Sequence, residues 1–364
     1  MLRTQRCIHS RLQAFASCPS LSLLTAAGQQ RRGLSVESNE GLPSTFVEGY
    51  HDPEIVRKMR YRPLGSRCVD KNGVPMEVSI VSIGASAFGG MYGTETVEDE
   101  CVEILRESVK SGINLIDAAA WYGHGRAEEV LGKALQGIPR EAYYLNTKVC
   151  RYNPSIMEMF DWSYDRTMRA IDEALERMGV DYLDSIQVHD PEFAPSIDLV
   201  VSSVFPAFEE AKRQGKVRQL GVTGYPLETL RAQIDGADEA GIEINTCLSY
   251  CHYTLHDTTL VSELVPYLQE KGVGLIGASP ISMGLLSNRG PPAWHPAPTL
   301  LKQLAAQAAE YCVKNDVDID WQGIEVKQYW EMLDKYAAVG EEGRSNGVDL
   351  RRDVERNGRS SDLT

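Results

Sequence analysis

From Met59 onward the chain alternates short apolar runs with amphipathic runs of helical period, and this alternation narrows its possible folds more than any other feature. Seven strand candidates stand out: Val78–Ala85, Ile113–Ala119, Tyr143–Val149, Ser185–Asp190, Val217–Gly224, Ile244–Tyr250 and Val273–Pro280. Each is short, mostly apolar and bounded by Gly, Asp or Pro, as strands covered on both faces should be. Between them, Val97–Lys110 places Val97, Cys101, Ile104, Leu105 and Val109 on one helical face. Tyr164–Met178 does the same with Met168, Ile171, Leu175 and Met178, and Leu260–Lys271 and Thr299–Val313 are further helix candidates. Gly112, Gly179, Gly215 and Gly272 fall just before strands, where helix-to-strand turns favour glycine. Repeated βα units imply a parallel sheet, either open and doubly wound or closed as a (β/α)8 barrel. The first βα loop, Gly84 to Gly90, reads GASAFGG. It does not fit the G-x-G-x-x-G dinucleotide fingerprint, which weighs against the open sheet.

The polar residues favour the barrel. Asp117, Lys148 and His189 each close an apolar run, and Tyr122 follows Asp117 in the next loop. In a (β/α)8 barrel such positions converge on one mouth, at the C-terminal ends of the strands. An unperturbed phenol, with a pKa of about 10, is a poor acid or base at neutral pH, but a neighbouring ammonium stabilises the phenolate. Lys148 can play that part beside Tyr122, Asp117 can hold Lys148 charged and in place, and His189 can orient a substrate oxygen. The set suits proton transfer coupled to hydride transfer at a carbonyl or alcohol carbon. A plain ion pair with packed neighbours is the alternative for each residue singly. Charges at successive buried strand ends are costly unless paired or used, which favours function for the four together.

The stretches NLIDAAAWYGHGRAEEVLGKAL, LNTKV and SIQVHDPE resemble the aldo-keto reductases, and the resemblance runs from about Met59 to Asp316. It implies a (β/α)8 barrel in which Tyr122 is the general acid/base, Lys148 tunes it, Asp117 anchors Lys148 and His189 orients the carbonyl. LSYCHYTLHDTTL and VPYLQEKGVGLIGASPISMGLLSNRGPPAWHPA narrow the likeness to the L-galactose dehydrogenase-like group. The implied activity is hydride transfer between NAD or NADP and an aldose or another carbonyl or alcohol substrate. By the same resemblance Ser279, Pro280, Ile281, Met283, Gly284 and Leu285 lie along the cofactor pyrophosphate. Thr223 stands where many relatives hold the nicotinamide carboxamide with Ser. Gly224 stands where many have Asn, and Ala278 where many stack an aromatic on the nicotinamide; these are departures from the wider family. Phe88, Trp121, His124 and His252 lie in loops at the same mouth, either as substrate contacts or as rim packing. Trp121 is suited to stacking on a sugar, and His252 to bonding its hydroxyls.

The barrel is expected over residues 59–316, after an approach segment at 37–58. An eighth strand, with the G-x-x-S-x-x-Q-type loop that holds the adenosine end of the cofactor, is not recognisable after the last helix. Residues 317–364 read instead as an atypical, polar, charged tail expected to be disordered, so strand 8 is expected to be missing or replaced. That expectation carries weak cofactor binding with it, and an alternative function as a catalytically impaired isoform acting as a binding or regulatory protein. Residues 1–36 contain five Arg, several Ser and no Asp or Glu, and Arg31-Arg32-Gly33-Leu34-Ser35 resembles a mitochondrial processing site. They are expected to form a transit peptide, with a plain extension on a cytoplasmic protein as the alternative. The formal net charge of −14 is thus a +5 leader on a body of −19, and that acidic excess argues against nucleic-acid binding. No run approaches the roughly 20 apolar residues of a membrane helix. The eight Cys lack C-x-x-C pairs and read as reduced, mostly buried thiols. No His-x-His or carboxylate cluster suggests a metal site. The expected partner is a small molecule, and the sequence leaves the oligomeric state open.

Overall fold

The computed structural model describes residues 41–70, 72–91 and 97–315. The expected transit peptide, the tail 317–364 and the question of an eighth strand lie outside the described residues. Two compact units are present: one holds the chain up to Ser249 together with Glu263–Ile276, the other Tyr250–Ser262 and the chain from Gly277.

The first unit is built on a sheet of seven strands: β3 (Ile83–Gly84), β4 (Leu115–Asp117), β5 (Tyr144–Val149), β6 (Leu183–His189), β7 (Val217–Gly224), β8 (Thr246–Tyr250) and β9 (Gly274–Ala278). They lie side by side in chain order, with parallel pairing from β3 through β8. Helices α1 (Glu98–Lys110), α2 (Arg126–Leu135), α3 (Tyr164–Met178), α4 (Phe205–Arg213), α5 (Leu227–Glu239) and α6 (Val265–Lys271) form the crossovers. This is the (β/α)8-barrel topology, carried through seven strands among the described residues. The four glycines before strands all have positive φ, from 64° to 95°, a backbone that only glycine adopts freely.

Several expected boundaries move, each for a local reason. Val78–Ala85 is not one strand. Its first part, β2 (Glu77–Ser79), pairs antiparallel with β1 (Tyr61–Pro63), and only β3 joins the barrel. Ser79 causes the break: its hydroxyl donates to the Val81 carbonyl at 2.6 Å, and its N–H donates to the Asn114 side chain at 2.7 Å. The helix expected over Leu260–Lys271 divides into Thr259–Glu263 and α6, because Pro266 has no N–H to continue the ladder. Val97 is an extended N-cap residue, so it leaves the α1 core face, and it and Ile104 are exposed while Cys101, Leu105 and Val109 are buried.

The hairpin closes the N-terminal end of the barrel. The chain between β1 and β2 comes so close to β9 that a Cβ on Gly65 would lie 2.5 Å from the Gly274 nitrogen. Cys68 donates to the Asn245 carbonyl at 3.0 Å, and the Asn114 amide donates to Thr45 at 2.9 Å. With that end sealed, the C-terminal ends of the strands form the open face of this unit.

In the second unit, Leu285 and Leu286 pack with Ala305, Ala308, Ala309 and Cys312 of α7 (Thr299–Lys314). The six described cysteines, Cys68, Cys101, Cys150, Cys247, Cys251 and Cys312, are all buried free thiols. Among the described residues no helix is long and apolar enough to cross a membrane.

Candidate active site

Asp117, Lys148 and His189 lie at the C-terminal ends of β4, β5 and β6, as the sequence predicts, and Tyr122 lies in the loop after β4. Lys148 is 1% exposed, one of the large, fully buried side chains among the described residues. Its ammonium donates to both Asp117 carboxylate oxygens, at 2.6 and 2.7 Å, and to the Ala118 carbonyl at 2.8 Å. All three ammonium protons are thus used, which a buried charge requires. The same ammonium stands 5.2 Å from the centroid of the Tyr122 ring. The His189 ring meets Tyr122 edge to face, with centroids 6.0 Å apart. The structure therefore brings all four residues together in one unit.

Close backbone approach places Tyr122. A Cβ on Gly89 would lie 2.5 Å from the Tyr122 carbonyl, and one on Gly123, where φ is 64°, would strike the Gly89 carbonyl. The first loop, ending at Gly89 and Gly90, thus rests directly on the backbone of the Tyr122 loop. Phe88, also predicted at the mouth, is buried in this short 3-10 turn.

His189 is neutral over most of the pH range. Burial pushes its pKa down to about 4, against the opposing pull of the Asp190 carboxylate. Its Nδ1 is buried and has no hydrogen-bond partner among the described residues, and its Nε2 lies 3.8 Å from Asp190 Oδ2. A neutral ring retains one N–H for donation to a substrate oxygen.

The rim beside His189 is ordered by Arg151, which sequence reasoning missed. Its guanidinium covers the Trp121 ring at 4.1 Å and donates to Asp190 Oδ2 at 2.7 Å. One face of Trp121 is therefore taken by a cation rather than left for a sugar. His124 meets the Trp121 ring edge to face, and its Nδ1 lies 2.9 Å from the Tyr152 carbonyl.

A second missed feature lies below the tetrad. Asn146 donates to Asp117 Oδ1 at 2.7 Å and to Gln187 at 3.2 Å, and Gln187 donates to Thr246 at 3.1 Å. Ser185 completes this buried polar chain, 3.0 Å from Thr246. The signal was period two: Asn146 and Lys148 on β5, and Ser185, Gln187 and His189 on β6, share one strand face.

Thr223 and Gly224 end β7, both buried, and Thr223 is in register with His189. Gly224 has a structural reason to lack a side chain: a Cβ there would lie 2.5 Å from Glu192 Oε2. Glu192 accepts from the Tyr225 N–H at 3.0 Å, and burial together with the charge of Asp190 raises its pKa to about 7. A carboxyl raised in the folded state favours folding while protonated and loses that advantage as pH rises. We therefore expect Glu192→Gln to leave stability nearly unchanged at pH 4 and to raise it by about 2 kcal/mol above pH 7, a value reduced for partial solvent access. Urea midpoints at the two pH values measure this, and a gain confined to the acid side would contradict it.

In the second unit, Ser279, Ser282, Met283 and Gly284 all have positive φ, between 48° and 88°. This predicted cofactor segment is a tight turn, braced by the Met283 N–H donating to the Ser279 hydroxyl at 3.0 Å. The Ser282 hydroxyl is buried and has no partner among the described residues. Pro280 is exposed, whereas Leu285 is 2% exposed and belongs to the apolar cluster around α7, with Ile281 against it. His252 is held by Thr259 at 2.9 Å and Asp257 at 3.2 Å.

The model of the Aldo/keto reductase family matches residues 81–350, well over half of the chain. The chain belongs to the aldo-keto reductase family and is an oxidoreductase. It is 42% identical to L-galactose dehydrogenase of Arabidopsis thaliana over 239 residues, covering 65% of this chain and 72% of that protein. It is 29% identical to D-arabinose 1-dehydrogenase of Saccharomyces cerevisiae over 250 residues, covering 66% and 72%. Among solved structures, an aldo-keto reductase of Bacillus halodurans in its holo form superposes with a TM-score of 0.56 at 25% identity, covering 76% of this chain and 96% of that one.

Proposed function

We propose that the chain is a nicotinamide-dependent aldose 1-dehydrogenase, oxidising the C1 hydroxyl of a cyclic aldose to the lactone and able to run carbonyl reduction in reverse. The observation that carries this is the Lys148 ammonium, buried and triply bonded, beneath the Tyr122 ring and beside a neutral His189. The sugar dehydrogenases among its relatives support the substrate class. Each unit taken by itself has residues suited to part of a dinucleotide: in the second, the Ser282 hydroxyl, without a partner among the described residues, sits in a left-handed turn suited to a phosphate, and in the first, Thr223 ends the strand next to His189. In this reading Thr223 and Gly224 serve the nicotinamide end. Ser279, Pro280, Ile281, Met283, Gly284 and Leu285 serve the pyrophosphate, Leu285 through its backbone.

When bound, NAD or NADP supplies the hydride acceptor. The protein supplies the proton chemistry. Tyr122 takes the hydroxyl proton as the C–H bond is lost, and the nearby Lys148 charge favours the phenolate needed for that. Asp117 holds Lys148 in place, and Asn146 holds Asp117. The His189 N–H orients the reacting oxygen. A panel of aldoses assayed with NAD and with NADP tests the reading, with L-galactose and D-arabinose as first members. Lactone formation coupled to cofactor reduction is expected; a folded protein that turns over none of them would sink it.

A further inference from the structure

Asp190 is the residue whose geometry the proton chemistry above leaves unused. It follows His189 directly, at the C-terminal end of β6, with φ 54° and ψ 54°. A left-handed conformation costs free energy for any residue but glycine, and it is held here by the Asp190 N–H donating to the Thr223 carbonyl at 2.8 Å. This backbone turns the carboxylate back to the His189 ring, where Oδ2 lies 3.8 Å from Nε2. His189 is neutral, so that contact is no ion pair. The charge is balanced instead by Arg151 at 2.7 Å, itself fixed over Trp121. The turn itself is a common strand-end device here, since Cys150, Cys251 and Ser279 after β5, β8 and β9 also have positive φ; what sets Asp190 apart is the place its carboxylate takes beside His189. The Asp190 side chain is 17% exposed, so a ligand can reach it. Among the described residues no hydrogen bond engages its Oδ1.

The spacing has a chemical meaning. The reacting oxygen is placed by the His189 N–H. Oxygens on adjacent carbons stand about one hydrogen-bond length apart, so a hydroxyl on the neighbouring carbon falls beside Asp190. A carboxylate is an acceptor with roughly four lone-pair sites, enough for Arg151 and a hydroxyl together. Acceptance by an ionised group also makes the bond a strong one.

We propose that Asp190 reads the hydroxyl on the carbon next to the reacting one, with Arg151 as its positioning residue, so that the enzyme selects 2-hydroxy substrates over their 2-deoxy counterparts. This deepens the aldose reading and rests on it. The test compares kcat/KM for L-galactose with 2-deoxy-L-galactose, and for D-arabinose with 2-deoxy-D-erythro-pentose. The wild-type enzyme is expected to favour the hydroxylated member on the order of 10- to 100-fold, the worth of a hydrogen bond to a charged group. In D190N and D190A the preference should shrink stepwise, through a larger loss on the hydroxylated member of each pair. A wild-type ratio near one overturns the proposal while leaving aldose oxidation intact. Equal losses on both members in the variants, the mark of a merely structural role, also overturn it. Reduction of lactaldehyde against propionaldehyde poses the same question without a sugar. A 2-hydroxy preference there, without aldose oxidation, would uphold Asp190 and sink the aldose reading.

Discussion

Tyr122→Phe should lower kcat by about 10²- to 10⁴-fold, the usual worth of a positioned acid/base group, with the fold and cofactor affinity unchanged. The phenol oxygen is the only part removed. The ring that meets His189 edge to face and stands over Lys148 remains, so packing around the tetrad is kept. KM for the aldose should move little, because the hydroxyl acts on a proton in flight rather than on the ground-state complex. Steady-state assays with the best aldose, alongside a cofactor titration followed by protein fluorescence, separate the two quantities. A variant with more than a tenth of wild-type kcat would remove Tyr122 from its role. The expected pH profile follows from the same geometry. His189 stays neutral down to about pH 4 because burial disfavours its charged form, so the imidazole does not impose an acid limb near its ordinary value of 6.5.

The tetrad was legible because each member is a polar interruption at a strand end, and because the barrel brings strand ends together wherever their sequence neighbours lie. The bounds of helix α3 were legible from its apolar period and from Gly179 after its end; the Ser163 hydroxyl that caps its N-terminus was not singled out. What the sequence hid were contacts that depend on side-chain reach. Nothing in the pattern around Arg151 says that it covers Trp121 and holds Asp190. Nothing around Gly224 says that the missing side chain leaves room for a carboxyl from the neighbouring loop. The division of Val78–Ala85 was hidden for a related reason: Ser79 is captured by Asn114, a residue 35 positions away. Leu285 illustrates the converse: it lies within the motif ASPISMGLL, yet its side chain belongs to an apolar core.

The ion pair beneath the tyrosine carries the second large effect, and here stability and catalysis should part. Asp117→Ala leaves the Lys148 ammonium 1% exposed, keeping its bond to the Ala118 carbonyl but losing both carboxylate oxygens, and Lys148→Met leaves a carboxylate that keeps its bond from Asn146 but loses its counter-charge. Each single change should cost roughly 3–5 kcal/mol, because what remains is an uncompensated buried charge. Asp117→Asn combined with Lys148→Met removes both charges and keeps the volumes. Its stability should return most of the way to wild type, because the two charges must be desolvated to pair at all. Activity should not return with it. Without Lys148 the phenolate of Tyr122 loses its nearby cation, and kcat should stay depressed by at least about 100-fold in the double variant. Urea unfolding gives the coupling energy, and aldose turnover measured on the same preparations gives the kinetic arm. If the double variant were as unstable as either single one, the pair would be a net source of stability. If instead it recovered turnover with its fold, the charge beneath Tyr122 would have no part in the proton transfer.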